Sequence, residues 1–290
     1  MSPILSFEWL GLPWRFHAYG FFMAAALITL VSAGIYRLCR VGISLPRALA
    51  SMVLTAVCVP LGARIWYALS AGRDFSAFII LLMEPHLKGF TIAGGLVLSI
   101  LVGAASSRLM KIPFYQRQDA ASPALFASIA LFRIGCFLNG CCFGIKSDLP
   151  WAVRFPKGSM AHLYYLTSEG RSDALDLRFL SGPPPVHPTQ LYELAGAILA
   201  AMTSHMLLKK KLSSGVPYLS GAVVYTATRL VTQFFRAPAS GVSAYVNQTN
   251  LFIFSVLLLM ALFLLRRATK SGKQTYHALS ELSRSTNNTI

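Results

Sequence analysis

Seven apolar runs, each close to the length of a membrane-crossing helix, dominate this sequence. A helix needs roughly 20 mainly apolar residues to cross the hydrocarbon core of a bilayer. Such runs lie at Ala18–Tyr36, Ala48–Leu69, Phe90–Ser107, Ser122–Asn139, Gln190–Leu208, Val216–Phe235 and Leu251–Leu265. Because 55% of the residues are hydrophobic and only 12% are charged, one soluble core could not bury this much apolar surface. The pattern predicts an all-α membrane protein with about seven transmembrane helices.

The distribution of positive charge predicts the orientation of these helices. The short connections on one side are dense in cations, which include Arg108, Lys111 and Arg117, and the short connections on the other side are sparse. The positive-inside rule therefore places the N-terminus outside and the C-terminus in the cytoplasm. This sidedness accounts for the net charge of +16, so no nucleic-acid partner is predicted.

The same pattern divides the chain into a transmembrane bundle and a tail. Residues 1–265 form the predicted bundle, and residues 266–290 form a polar cytoplasmic tail that we expect to be disordered. Residues 144–188 are too many for a tight turn and include Trp151, Phe155 and Tyr164. We therefore predict that this segment forms a small extracytoplasmic cap on the bundle.

Several arginines fall where the membrane should be. Arg64, Arg133 and Arg229 lie within predicted spans, and Arg236 lies just beyond one. Glu193 is the only carboxylate in a predicted span, so the arginines outnumber their possible partners. A buried charge needs a partner or a wet cavity, and guanidinium matches the geometry of phosphate. The pattern favours an anionic ligand, with snorkelling to the interface as the alternative, above all for Arg64.

Five short strings, in order along nearly the whole chain, resemble those of the bacterial prolipoprotein diacylglyceryl transferase family. They are H-A-Y-G at 17–20, G-A-R-I at 62–65, R-I-G-C-F-L-N-G at 133–140 with Gly144, H-P-T-Q-L-Y-E at 187–193, and R-L-V-T-Q-F-F-R at 229–236 followed by Pro238. The glycine and proline patterns in these strings would be weak alone, but the strings that begin at Arg133 and His187 are specific together.

The resemblance implies a transferase with its site on the outer side of the bacterial inner membrane. Phosphatidylglycerol would be the donor, the lipobox cysteine of a preprolipoprotein signal peptide the acceptor, and glycerol phosphate the leaving group. By the same comparison, Arg133, Arg229 and Tyr19 take part in catalysis. The residues implied to bind substrate are Arg64, Gly94, Gly95, Asn139, Gly140, Gly144, His187, Gln190, Tyr192, Glu193, Gln233 and Arg236.

The chain departs from the family pattern where a base would be expected. Ala93 stands in place of the family's histidine, and Gln233 stands in place of its glutamate. Three thiols are gained instead, at Cys136, Cys141 and Cys142. These cysteines could form a disulfide, could be inert core residues, or could include a catalytic nucleophile. No nearby Cys-x-x-Cys spacing points to zinc, so neither a metal nor an organic cofactor is predicted.

Three functional hypotheses follow from this combination. The first is transfer of a diacylglyceryl group from phosphatidylglycerol to a cysteine thiol. The second is a divergent enzyme that uses the same lipid with another acceptor and a thiol in place of the lost bases. The third is a membrane protein that binds lipid without catalysis.

Overall fold

The computed structural model describes residues 4–9, 12–71, 92–168, 182–210, 212–237 and 250–270. Within them, two strands precede a series of helices: β1 (Ile4–Trp9), β2 (Leu12–His17), α1 (Ala18–Arg40), α2 (Leu45–Ala71), α3 (Ile92–Leu109), α4 (Phe114–Asn139), α5 (Met160–Ser168), α6 (Thr189–Lys209), α7 (Val216–Phe234) and α8 (Asn250–Lys270). All seven predicted spans are therefore helical, and most of their boundaries agree within a few residues.

The all-α prediction is confirmed for the bundle, whereas the N-terminal hairpin was not predicted. Strands β1 and β2 pair antiparallel, from Ile4 opposite His17 to Trp9 opposite Leu12. β2 ends where α1 begins, so the hairpin leads directly into the first helix.

Five helices in the described part of the chain are long and apolar enough to cross a bilayer, namely α1, α2 over Leu45–Leu69, α4, α6 and α8. The other two predicted spans coincide with helices α3 and α7, which are not among these five. In α3, Val97–Leu109 is the apolar stretch among the residues whose side chains the structure describes. The 19 residues of α7 include Thr226, Arg229 and Gln233, which lower its hydropathy.

Helix α4 is the centre of the bundle, because α1, α3, α6 and α7 all pack against it. One buried cluster joins α1, α2 and α4 through Leu38, Met52 and Ala121. A second cluster joins α4, α6 and α7 through residues such as Phe126 and Ala197. The bundle is thus held together by apolar contacts along the length of one helix.

Helix α4 also begins earlier than predicted, at Phe114 instead of Ser122. Two polar residues that had been assigned to a connection are therefore in the helix and buried: Arg117 and Asp119. Glu193 is consequently not the only carboxylate in a long helix. Pro113 precedes the first turn, where a proline does not remove a needed backbone hydrogen bond.

Helix α8 presents large apolar side chains outward. Phe252, Leu259 and Phe263 are exposed, whereas Phe254 and Ala261 are buried against the bundle. An apolar outer face of this kind fits a lipid environment. The helix continues to Lys270, and the rest of the predicted tail lies outside the described residues.

The segment between α4 and α6 has a core of its own. Phe143, Phe155, Ala161 and Val186 form a buried cluster, against which Tyr164 and Tyr165 also pack. Backbone bridges join Lys146 and Val153 to Val186. The described parts of this segment are therefore folded onto the ends of α4 and α6, as a packed structure instead of an open loop.

Candidate active site

Glu193, in the second turn of α6, is contacted by three arginines from two other parts of the chain. Its Oε2 lies 2.5 Å from Nη2 of Arg133 in α4. Its Oε1 accepts hydrogen bonds from Nη1 of Arg229 in α7, at 2.9 Å, and from Nη1 of Arg236 just after α7, at 3.2 Å. Arg133 and Glu193 are each only 1% exposed. The C-terminal ends of α4 and α7 therefore meet the N-terminal end of α6 around one carboxylate.

This cluster is short of negative charge. Three guanidinium groups share one carboxylate, which leaves two uncompensated positive charges in a buried region. Nε of Arg133 and Nε of Arg229 have no hydrogen-bond partner among the described residues. Ring faces supply part of the compensation, since the Arg229 guanidinium lies 4.9 Å from the ring centre of Phe254 and that of Arg133 lies 5.6 Å from Phe132. An anion with several acceptor oxygens would satisfy both the charge and the free donors.

The first turn of α6 holds the chain that leaves α4. Pro188 precedes this helix, and the two residues that follow bond to backbone carbonyls across the interface. Thr189 Oγ1 donates to the carbonyl of Cys142 at 2.6 Å, and Gln190 Nε2 donates to the carbonyl of Cys141 at 2.7 Å. The string at 187–193 and the string at 133–144 therefore contact each other directly.

His187 and Tyr192 support this junction from the side. His187 Nδ1 and Tyr192 Oη are hydrogen-bonded at 3.1 Å, and the His187 ring packs on Phe235 at 4.9 Å between centroids. Tyr192 Oη also accepts a hydrogen bond from Trp151 Nε1 at 2.9 Å. His187 is 8% exposed, so in this structure it packs and bonds within the junction.

Gly144 allows three segments to come together next to Arg236. Its amide donates to the His187 carbonyl at 2.9 Å, and Gly144 forms an isolated antiparallel bridge with Arg236. A Cβ at this position would lie 2.5 Å from the His187 Cβ and from the Phe235 carbonyl oxygen, which no side chain tolerates. The absence of a side chain at residue 144 thus fixes the end of α7, and with it Arg236, at the site.

The thiols of Cys136, Cys141 and Cys142 converge at the end of α4. Gly140 adopts a left-handed conformation with φ of 66°, and the amide of Cys141 bonds back to the carbonyl of Cys136 at 3.2 Å, which reverses the chain. Cys142 is also left-handed, with φ of 61°, a conformation that non-glycine residues rarely adopt. As a result, the three Sγ atoms all lie within 4.8 Å of one another.

All five cysteines of the chain are described and free, so the disulfide interpretation finds no support here. Cys136 is buried, and Cys141 and Cys142 are half-buried. Hydrogen bonds from the thiols of Cys136 and Cys141, with the charges of Arg236 and Arg133, hold the pKa of the Cys142 thiol well below its usual range. The three thiols are therefore close enough to interact with one another and with these arginines.

The remaining predicted site residues are distributed around this centre. Tyr19, at the start of α1, packs edge-on against Phe132 with ring centres 5.8 Å apart, and Gly135 lies against its backbone. Asn139 is the last residue of α4 and is half-buried. Gln233 is buried in the last turn of α7. The side chains of His17 and Ala93 lie outside the described residues.

Gly94 and Gly95 are explained by helix packing. A Cβ on Gly94 would meet Trp66 and the carbonyl of Gly62, and one on Gly95 would lie 2.6 Å from the carbonyl of Val59. Both glycines thus allow α2 and α3 to approach closely. Arg64 lies on the same α2 and is buried at 8% exposure. Sequence reasoning missed Thr189, Trp151 and Phe254, of which only Thr189 lay within a recognised string.

The fold and the site together define a multi-pass helical membrane protein with a buried, cation-rich centre at the ends of three helices. A family model described as prolipoprotein diacylglyceryl transferase matches residues 7–267. That match covers most of the chain, and the chain belongs to this family.

The similar proteins include three named phosphatidylglycerol–prolipoprotein diacylglyceryl transferase. The one from Geobacter sulfurreducens is 29% identical over 81% of this chain and 79% of its own length. The one from Tropheryma whipplei is 24% identical over 93% of this chain and 95% of its own length. The one from Rhodopirellula baltica is 25% identical over 91% of this chain, which spans 59% of that relative's length.

Proposed function

We propose that this chain transfers the diacylglyceryl group of phosphatidylglycerol to the thiol of a lipobox cysteine in a preprolipoprotein, with release of glycerol phosphate. The observation that carries the proposal is the group of three arginines on one buried glutamate, at the junction of the two most specific strings. The family match supports this reaction over a role in lipid binding without catalysis.

The charge of the site suits this reaction because the phosphate gains charge as the bond breaks. A phosphodiester carries one negative charge, and the phosphomonoester that leaves approaches two. The uncompensated charges of Arg133, Arg229 and Arg236 would therefore bind the transition state more strongly than the bound lipid. The free Nε atoms of Arg133 and Arg229 are the donors available to the leaving oxygens.

The other predicted residues take supporting roles in this proposal. Tyr19 and Asn139 orient the headgroup, and the backbone at Gly140 and Gly144 allows it to approach closely. His187, Gln190, Tyr192 and Gln233 maintain the junction that places the arginines. Arg64, with Gly94 and Gly95 on the α2–α3 pair, borders the route of the lipid.

The proposal also includes a membrane arrangement. Helices α3 and α7 would cross the bilayer with the five long apolar helices, which gives seven spans, an outer N-terminus and a cytoplasmic C-terminus. Residues 144–188 would then form the extracytoplasmic cap that admits the signal peptide. The protein would reside in the bacterial inner membrane, where both substrates are present.

The direct test is transfer of labelled diacylglyceryl from phosphatidylglycerol to a synthetic lipobox peptide by the purified protein. Arg133→Ala and Arg229→Ala should each lower the rate by about a hundredfold or more. Arg47→Ala is the control, because Arg47 is exposed and its loss removes the same charge elsewhere. Absence of transfer by the unmodified protein, in vesicles that contain phosphatidylglycerol, would overturn the proposal.

A further inference from the structure

The proposed reaction needs an acceptor thiolate, yet this chain lacks the acidic or imidazole side chain at both positions where a base was expected. Residue 93 is alanine and residue 233 is glutamine. Next to the arginine group, the structure instead brings together the sulfur atoms of Cys136, Cys141 and Cys142. These thiols have no role in the phosphate chemistry described above.

The spacing of the three sulfurs fits a single thiophilic metal ion. Zinc bound to thiolates has a bond length of about 2.3 Å, so sulfurs around one tetrahedral zinc lie about 3.8 Å apart. The Sγ atoms here all lie within 4.8 Å of one another, so a movement of about 1 Å or less closes the set. A disulfide would need a sulfur separation of about 2.0 Å.

The backbone that carries these thiols is constrained from several sides. The turn after α4 requires Gly140 in a left-handed conformation, and Cys142 adopts one as well. Thr189 and Gln190 hold the carbonyls of Cys142 and Cys141. Hydrogen bonds behind the ligand-bearing backbone fix ligand orientation in metal sites in general. The turn therefore presents its thiols in a defined direction instead of leaving them on a mobile loop.

The electrostatic surroundings also fit such a complex. Three thiolates and one zinc ion carry one net negative charge, which the nearby guanidinium groups of Arg133 and Arg236 would stabilise. With three arginines and Glu193, the centre would carry one net positive charge before the acceptor thiolate binds. That remaining charge matches the single negative charge of a lipid phosphodiester.

We infer that Cys136, Cys141 and Cys142 bind a zinc ion whose fourth coordination position receives the acceptor cysteine of the substrate. The role of the metal rests on the proposed function. On coordination, the acceptor S–H releases its proton to water, and the metal holds the resulting thiolate. The sulfur then attacks the glyceryl CH2 carbon: the C–S bond forms, the C–O bond to phosphorus breaks, and its electron pair leaves with glycerol phosphate. Zinc thus does the work of the bases absent at residues 93 and 233.

The metal content of the full-length protein tests the site itself. The protein, purified in detergent from zinc-supplemented cells, should hold about one zinc per chain. Cys136→Ser, Cys141→Ser and Cys142→Ser should each lower that content at least about tenfold under dialysis, because three ligands are reduced to two. Cys39→Ser and Cys58→Ser are matched controls that should retain the metal, and thermal unfolding checks that every variant is folded.

Two further measurements test the role of the open position. After replacement of zinc by cobalt(II), a lipobox peptide should change the visible absorption of the metal, whereas the same peptide with serine for cysteine should not. Removal of the metal by a chelator should lower transfer at least about tenfold, and added zinc should restore it.

The inference is overturned if a folded triple serine variant retains as much zinc as the unmodified protein, or if metal-free protein transfers lipid at an undiminished rate. It is likewise overturned if the cysteine and serine peptides leave the cobalt spectrum equally unchanged. A cysteine-dependent zinc that responds to the peptide, in a protein that transfers no lipid, would support the metal site and overturn only the proposed transfer.

Discussion

The two ends of α4 each carry a fully buried arginine, and the two arginines are partnered in opposite ways. Arg117 donates from Nε to Ser51 Oγ at 2.5 Å and from Nη2 to Thr55 Oγ1 at 2.6 Å, with further bonds to the Ser51 carbonyl and to Gln118. Arg133 instead shares the carboxylate of Glu193 with two other arginines, and its Nε has no partner among the described residues. Burial of an arginine alone therefore does not indicate a binding site, and the two arginines are distinguished by whether their donors are partnered.

The carboxylates at the two ends differ in the same way. Asp119 accepts hydrogen bonds from the amides of Gly215 and Tyr218, at 2.6 and 2.9 Å, and so caps the first turn of α7. Glu193 is surrounded by cations that outnumber it. One end of α4 satisfies its polar groups within the protein, and the other end retains positive charge that the described residues do not neutralise.

The largest difference between the two ends should appear on replacement of each arginine by methionine, which preserves volume. Arg133→Met should lower the rate of diacylglyceryl transfer by about 10²- to 10³-fold, because a cation on the leaving phosphate is lost. Its free energy of unfolding in detergent should stay within about 1 kcal/mol of the original, since Glu193 keeps two arginines. An inactive protein that is also strongly destabilised would contradict this separation of roles.

Arg117→Met should show the reverse pattern. Its hydrogen-bond partners on α2 lose their donor, so the free energy of unfolding should fall by about 2 kcal/mol. The transfer rate per folded molecule should be unchanged, because the substitution lies about 24 Å along the helix from Arg133. Denaturant titration and a transfer assay on the same preparation measure both quantities, and a tenfold loss of rate without destabilisation would refute the structural role.

Asp119→Ala should lower the free energy of unfolding by less than Arg117→Met does. The amides at the start of α7 lose a charged acceptor, which typically costs about 1 kcal/mol at a helix N-terminus. We expect a lower unfolding temperature with unchanged transfer per folded molecule. Asp148→Ala is a suitable control, because it removes a carboxylate that lies in the segment after α4. Equal effects of the two substitutions would argue against the capping role.

The smallest effect is expected from Thr189→Val, which removes one hydroxyl while it keeps the shape of the side chain. The hydrogen bond to the Cys142 carbonyl is lost, at a cost of about 1 kcal/mol. Because this bond holds the turn next to the arginines, transfer should fall about fivefold, with a fall in the unfolding temperature no larger than that of Asp119→Ala. Thr228→Val is a control, because its hydroxyl donates to the Val224 carbonyl within its own helix.

Much of the fold and the centre of the site could be predicted from the sequence. Apolar length alone predicted the helices. The excess of arginine over acid predicted an anionic ligand for the buried arginines, and the structure gathers three of them on Glu193. The strings that begin at Arg133 and His187 were recognised separately, and the structure brings them into contact through Thr189 and Gln190. These features depend on composition and local order, which a single sequence displays.

Other features depend on contacts between distant residues. The start of α4 was predicted too late because Arg117 and Asp119 appear polar until their partners on α2 and α7 are known. The three cysteines were recognised as a group, but their sulfur geometry could not be predicted, because it depends on the left-handed turn that brings Cys136 back toward Cys142. The hairpin had a local signal, since two residues separate the short strands that end at Trp9 and begin at Leu12.

The shortage of negative charge around Glu193 has a consequence for the protein as a whole. A group of like charges that repel one another in the folded state is relieved by any anion that binds there, and a ligand that binds only the folded state shifts the folding equilibrium toward it. Stability should therefore depend on membrane composition, with a higher unfolding temperature in bilayers rich in anionic lipid than in zwitterionic ones. In a cell, the lifetime of the protein would then follow the supply of anionic lipid in the membrane around it.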